Sequence, residues 1–268
     1  MHFISGLPRS GSTLLAALLR QNPRFHAGMT SPVGGLYLSM LGEFAARNEF
    51  SVFLTPARRR ALLRGLFDAY YEDIHPTQRV FDTNRLWCAK LSGLMELFPE
   101  AKVVCCVRHL GWIADSVERL AQTNAFEPSR MFGYDAGLTV YGRVDAIAGP
   151  GGFVGYAFNA LREAFFGEHA DRLVLVQYDS LTGRPRETLA ALYDALGEPE
   201  FGHDFDSVRF DEGEAFDIHF GAPGLHVVRP KVEKVERRTI LPPDLFKRFE
   251  ADSFWRDPNA NLNNVRII

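Results

Sequence analysis

The chain lacks most of the features that would give it an easy assignment. Three cysteines in 268 residues, Cys88, Cys105 and Cys106, cannot form the even-numbered framework of a disulfide-stapled domain. Two of them are adjacent within an apolar run that reads as a buried strand, which suits a reducing compartment. No apolar run approaches the roughly 18 residues needed to span a bilayer. The first strand begins at residue 2 and leaves no room for a secretory leader, so a cytoplasmic protein is expected, with no membrane partner. Neither sign of charge is in excess: 30 Lys and Arg face 33 Asp and Glu, a net charge of -3. A broad basic surface for nucleic acid is thereby excluded, and any anion site must be local. No His/Cys cluster has metal-ligand spacing and no Ser/His/Asp or Cys/His order marks a nucleophile, so no metal is expected. Repeats and low-complexity tracts are absent too. What remains is an ordinary globular composition, 46% apolar, with enough length for one large domain covering 1–268.

The most informative absence is a single lysine. The stretch FISGLPRSGSTLLAALL, from Phe3 to Leu19, reads as a strand end, a glycine-punctuated turn and an apolar helix. Set against the phosphate-binding pattern G-x-x-x-x-G-K-[ST], it supplies Gly6, Gly11 and Thr13 in register, but Ser12 stands at the lysine position and Arg9 lies inside the loop. Backbone N–H groups at a helix N-terminus bind phosphate oxygens without a lysine, helped here by the hydroxyls of Ser10, Ser12 and Thr13. A nucleoside triphosphatase needs that lysine across its β- and γ-phosphates, and an acidic residue for magnesium after an apolar strand. Only Asp82 ends such a strand, and the strand is short.

Further short apolar runs read as buried parallel strands: Arg79 to Asp82, Lys102 to Arg108 and Leu173 to Tyr178. Helical periodicity follows at residues 112–122 and at 185–196, the latter closed by Gly197. Residues 56–74 carry another helical pattern, with Leu62, Leu63, Leu66, Phe67 and Tyr70 on one face and Arg58, Arg59, Arg60 and Arg64 largely turned away. Strands alternating with helices give an α/β class: a P-loop nucleotide-binding fold with a central parallel sheet and helices on both faces. The aromatic- and Gly-rich region 126–166 reads as a lid or acceptor-binding insertion, or equally as an irregular excursion with a helix near 156–167.

The segment PRSGST, from Pro8 to Thr13, resembles the 5'-phosphosulfate loop of sulfotransferases, which use 3'-phosphoadenosine 5'-phosphosulfate (PAPS). The resemblance implies that Pro8, Arg9, Ser10, Gly11, Ser12 and Thr13 bind the nucleotide. VRHLGWIADS is similar to the family's 3'-phosphate segment, an Arg at a strand end followed eight residues later by a Ser, here Arg108 and Ser116. Guanidinium suits a terminal phosphate because it keeps its charge and offers several fixed donors. VQYDSL is similar to a later family segment whose Tyr contacts the nucleotide, which carries that role to Tyr178; a buried core tyrosine is the other reading. RPKVEKVERRTILP looks like the closing segment of the tyrosylprotein-sulfotransferase-like and related bacterial branch. It makes Arg229, Lys231 and Arg238 candidate phosphate contacts, against a plain solvated turn.

The resemblance implies sulfuryl transfer from PAPS to a hydroxyl acceptor, leaving 3',5'-adenosine bisphosphate. Arg9 would stabilise charge on the bridging phosphate oxygen. A tyrosine phenol on a peptide leads among acceptors, with small alcohols, phenols and sugars also open. The acceptor needs a base. The acidic turn of the tyrosylprotein branch is replaced here by AGMTSPVGG, containing Met29, Thr30 and Ser31, and the strand-end position used by cytosolic members falls in VFDTNRLW. Asp82 is therefore the expected catalytic base, with Arg85 as an electrostatic partner, unless Asp82 only caps a turn. Glu43, His26, His75 and His109 are weaker choices. A P-loop kinase and a nucleotide-binding protein without catalysis are the alternatives.

Overall fold

A computed structural model describes residues 1–268. Six strands, β1 (His2–Gly6), β2 (Phe25–Ala27), β3 (Arg79–Thr83), β4 (Val103–Val107), β5 (Leu173–Gln177) and β6 (Arg266–Ile267), form one sheet in the order β2-β3-β1-β4-β5-β6. Every pairing is parallel. The central strands are buried on both faces, which is why HFISG and VVCCV read as continuous rather than alternating apolar runs. Alternate residues nevertheless enter different layers. Phe3, Val103, Cys105 and Leu173 face one core, and Ile4, Val104, Cys106 and Val174 face the other.

The first core is covered by α2 (Val33–Glu43), α3 (Pro56–Tyr70), α4 (Leu86–Ala89), α5 (Leu91–Leu97), α6 (Leu110–Thr123), α7 (Val140–Ala148), α8 (Gly155–Phe166) and α12 (Pro243–Lys247). The second is covered by α1 (Ser12–Leu19), α9 (Tyr178–Gly183) and α10 (Pro185–Leu196), while α11 (Glu214–His219) stands outside both. Thus α1 leaves β1 toward one face and α6 leaves the neighbouring β4 toward the other. Such a reversal opens a crevice at the carboxyl ends of the strands, where open parallel sheets bind ligands.

The sequence expectations meet the structure unevenly. The four expected strands are present within a residue or so, and Gly197 closes α10 in the left-handed conformation. Strands β2 and β6, three and two residues long, carry no pattern that sequence could register. Helix α3 stops at Tyr70 and buries only Leu63 and Phe67, whereas Leu62 and Tyr70 face solvent; its apolar stripe is narrower than the five residues expected. The 126–166 region divides. Helix α8 lies over the sheet with Ala157, Leu161 and Phe165 in the first core, and α7 adds Val144 and Ile147.

Two glycines are required where β1 meets the loop. Gly6 has φ 93°, and a Cβ there would stand 2.4 Å from the Cys106 carbonyl oxygen. Gly11 has φ 96°, and a Cβ there would press to 3.0 Å from the Tyr178 ring. The loop is thus packed against β4 on one side and an aromatic face on the other.

Candidate functional site

A cavity of about 220 Å³ opens at the β1–β4 crevice, bounded by the loop after β1, the ends of β4 and β5 and a C-terminal strap. The first helical bond of α1 runs from the Leu15 N–H to the Gly11 carbonyl. The N–H groups of Ser12, Thr13 and Leu14 therefore start the helix without helical partners, and no side chain caps them. Ser12 and Thr13 line the cavity with hydroxyls that no protein group engages, and Pro8 and Gly11 line it beside them.

Arg9 occupies the left-handed region, φ 55°, unusual for a residue with a side chain. That conformation turns its guanidinium across the crevice, where Nε donates to Ser116 Oγ at 3.1 Å and Nη1 donates to the Leu225 carbonyl. Arg108, one residue beyond β4, donates from Nη1 to the Arg9 carbonyl at 3.3 Å. Its guanidinium lies 4.1 Å from the centroid of the Tyr178 ring, a cation–π contact. No carboxylate pairs with either arginine. Burial lowers the pKa of both, and for Arg9 the Arg108 charge adds to it. Two crowded cations held side by side without a counter-ion, with most of their N–H donors unspent, fit a dianionic ligand.

Residues 226–237 lie over this cavity as an extended strap. His226, Val227 and Val228 line it consecutively, and from Arg229 the lining falls on every second residue, Arg229, Lys231, Glu233, Val235 and Arg237, as an extended chain requires. The strap is tied down by bonds from the Val232 N–H to the Phe205 carbonyl and from the Val208 N–H to the Pro230 carbonyl. Arg238, one of the three expected strap contacts, falls on the other face; its carbonyl accepts from Arg119. Arg237 lines the cavity instead, held 2.7 Å from Asp115. Lys231 reaches the rim and makes only a long, exposed pairing with Asp206 at 3.9 Å.

Two sequence expectations fail on geometry. The Ser10 side chain is fully buried and donates to the Leu7 and Cys106 carbonyls, so its hydroxyl ties the loop to β4 rather than facing a ligand. Asp82 is likewise fully buried and does not line the cavity. Its register partner in the sheet is Phe3, which places it on the face covered by α3 and α4. There it accepts from Ser31 Oγ at 2.6 Å, Tyr71 OH at 2.5 Å and Trp87 Nε1 at 2.7 Å. Burial raises its pKa despite those three donors. A carboxylate so enclosed cannot reach an acceptor hydroxyl; it is a structural hub, and Arg85 is not its partner.

Sequence reasoning missed the histidine that does face the site. His226, at the start of the strap, lines both the large cavity and a second one of about 100 Å³ that adjoins it. Its Nδ1 lies 2.5 Å from Asp217 Oδ1, and its backbone N–H donates to Asp217 Oδ2 at 2.8 Å. Asp217, on α11, is itself buried. The pair orients the ring so that Nδ1 carries the proton and Nε2, without a protein partner, keeps its lone pair. Burial lowers the His226 pKa below 6.5, with Asp217 opposing and Arg9 and Arg85 reinforcing, so the ring is neutral at neutral pH. No motif marks either residue in the sequence.

Comparison with known proteins places these observations. A profile of the sulfotransferase family matches residues 2–202. Among solved structures, the fold is similar to a sulfotransferase domain from the curacin biosynthetic pathway, with a TM-score of 0.52 at 18% identity over 75% of each chain. A sulfotransferase domain from the olefin synthase of Synechococcus PCC 7002 gives a TM-score of 0.46 at 21% identity, covering 93% of this chain and 94% of that one. No curated protein matches.

Proposed function

The chain belongs to the sulfotransferase family, and from that premise we propose that it transfers a sulfuryl group from PAPS to a hydroxyl acceptor. The observation that carries this reading is the convergence of Arg9, Arg108, Ser116 and Tyr178 on one cavity around a phosphate-type loop that has Ser12 in place of lysine. PAPS supplies the activated sulfuryl group and a leaving phosphate. The N–H groups of Ser12, Thr13 and Leu14, with the Ser12 and Thr13 hydroxyls, are suited to hold the 5' side of such a nucleotide. Arg108 and Ser116 are suited to its 3'-phosphate, with the Tyr178 ring packed against the Arg108 guanidinium.

In this reading Arg9 stabilises charge growing on the bridging oxygen as the sulfur–oxygen bond to phosphate breaks. His226 Nε2 takes the acceptor proton as the new oxygen–sulfur bond forms, and Asp217 stabilises the resulting imidazolium. This assignment replaces Asp82 as base. The second cavity is small, about 100 Å³, which suits a compact hydroxyl compound better than a tyrosine phenol on a peptide. A kinase is disfavoured because the lysine position holds Ser12 and Asp82, the acid that could have served magnesium, is enclosed in the core.

The test is calorimetric titration with 3',5'-adenosine bisphosphate and, separately, with ATP plus magnesium. Selective tight binding of the bisphosphate is expected. Selective binding of magnesium ATP would replace this reading with a kinase.

A further inference from the structure

Arg85 is a cation that neither the fold nor the nucleotide reading uses. It lines both cavities at their junction, alongside Ser12, Phe153 and His226. Its guanidinium lies 4.2 Å from the centroid of the Phe153 ring, in the connection between α7 and α8. It takes part in no hydrogen bond and no ion pair, whereas Arg9, Arg108 and Arg237 each have protein partners. Its side chain is exposed along the cavity; desolvation by the surrounding protein lowers its pKa to about 10, and it stays charged at neutral pH.

The surroundings state what is missing. The second cavity contains no acidic side chain, and the only carboxylate lining the larger one is Glu233 on the strap. Met29, Phe153, Phe216 and Phe220 give the second cavity an apolar wall. An unpartnered guanidinium held over an aromatic ring, beside a pocket with one apolar wall, is arranged for a planar oxyanion attached to a partly apolar body. The phosphate-type loop and Arg9 already serve the nucleotide from the other side of the junction.

We propose that Arg85 binds a carboxylate on the acceptor, so that the substrate is a small hydroxy acid whose carboxylate meets Arg85 while its hydroxyl faces His226. This rests on the sulfotransferase reading of the site. It extends that reading from a hydroxyl compound in general to an anionic one.

The experiment uses the full chain loaded with 3',5'-adenosine bisphosphate and titrated with matched pairs: para-hydroxyphenylacetate against its methyl ester, and beta-hydroxybutyrate against its methyl ester. In at least one pair the acid should bind about 10- to 100-fold more tightly, the range for a charge-assisted hydrogen bond. Arg85→Gln should abolish that preference while leaving bisphosphate affinity unchanged. No acid preference in either pair, or a preference that survives Arg85→Gln, would overturn the proposal. So would an Arg85→Gln variant that weakens PAPS but not the bisphosphate, because Arg85 would then serve the donor's sulfuryl group. Failure of the bisphosphate to bind at all would instead remove the sulfotransferase reading, and this proposal with it.

Discussion

Replacing Arg108 with alanine separates recognition of the 3'-phosphate from support of the loop. The guanidinium has one protein hydrogen bond, a long one of 3.3 Å to the Arg9 carbonyl, and one aromatic contact with Tyr178. Loss of that contact costs roughly 0.5–1 kcal/mol and should weaken any nucleotide about equally, by no more than about fivefold. Charge-assisted hydrogen bonds to a phosphate are worth about 1.5–3 kcal/mol each. Two donors on one phosphate therefore put the specific loss near 3 kcal/mol or above, on the order of 100-fold in Kd. Calorimetry on wild type and Arg108→Ala should be run with 3',5'-adenosine bisphosphate and with adenosine 5'-monophosphate, which lacks the 3'-phosphate. The large loss is expected for the bisphosphate only. Equal losses for both ligands would mean that Arg108 merely props the loop and Tyr178, and the 3'-phosphate assignment would fall.

Other expectations follow from the same geometry. Asp82→Ala leaves the buried donors of Tyr71 and Trp87 without an acceptor, so denaturant unfolding should show a loss of about 3–5 kcal/mol; a milder Asp82→Asn variant that folds should keep its pH–rate profile, and loss of the acidic limb in that variant would restore Asp82 as the base. Ser10→Ala should lower stability by about 1–2 kcal/mol, with bisphosphate affinity nearly unchanged, since its hydroxyl binds Leu7 and Cys106; a selective loss of affinity without loss of stability would contradict its placement. The base role proposed for His226 requires the neutral ring, and burial together with Arg9 and Arg85 outweighs Asp217 to lower its pKa from 6.5. The kcat/KM of the wild type should accordingly fall as pH drops through a value below 6.5 and stay level above it. His226→Ala should lose about 10²- to 10⁴-fold in rate along with that limb, and a limb that persists in the variant would assign the base elsewhere.

Legibility in the sequence followed contiguity. The loop from Gly6 to Thr13 was readable because its glycines, hydroxyls and flanking strand and helix are consecutive, and Arg108 with Ser116 because a strand end and the first turns of the next helix have fixed spacing. Asp82 misled because a strand-end acid looks the same whichever face it points to. The face is set by pairing with Phe3 and by Tyr71 and Trp87, residues that sequence does not place beside it. The one available signal was Trp87, a buried indole that needs an acceptor nearby. His226 and Asp217 were invisible for the opposite reason: a short helix and an unpatterned strap bring them together, and only the folded strap brings His226 to the cavity. Arg85 was in view, but as a partner for Asp82, because its position over Phe153 depends on the path between α7 and α8.

The most direct test of the central claim is transfer itself. Purified protein would be incubated with PAPS carrying a radiolabelled sulfuryl group and a panel of phenols, alcohols and hydroxy acids, and label in the acceptor would be measured against the bisphosphate released. Equal amounts of sulfated acceptor and bisphosphate are expected, formed without added magnesium and largely lost in Arg9→Ala. Tight binding of PAPS with no label moving to any acceptor, or label released only as free sulfate at a rate indifferent to Arg9, would contradict it.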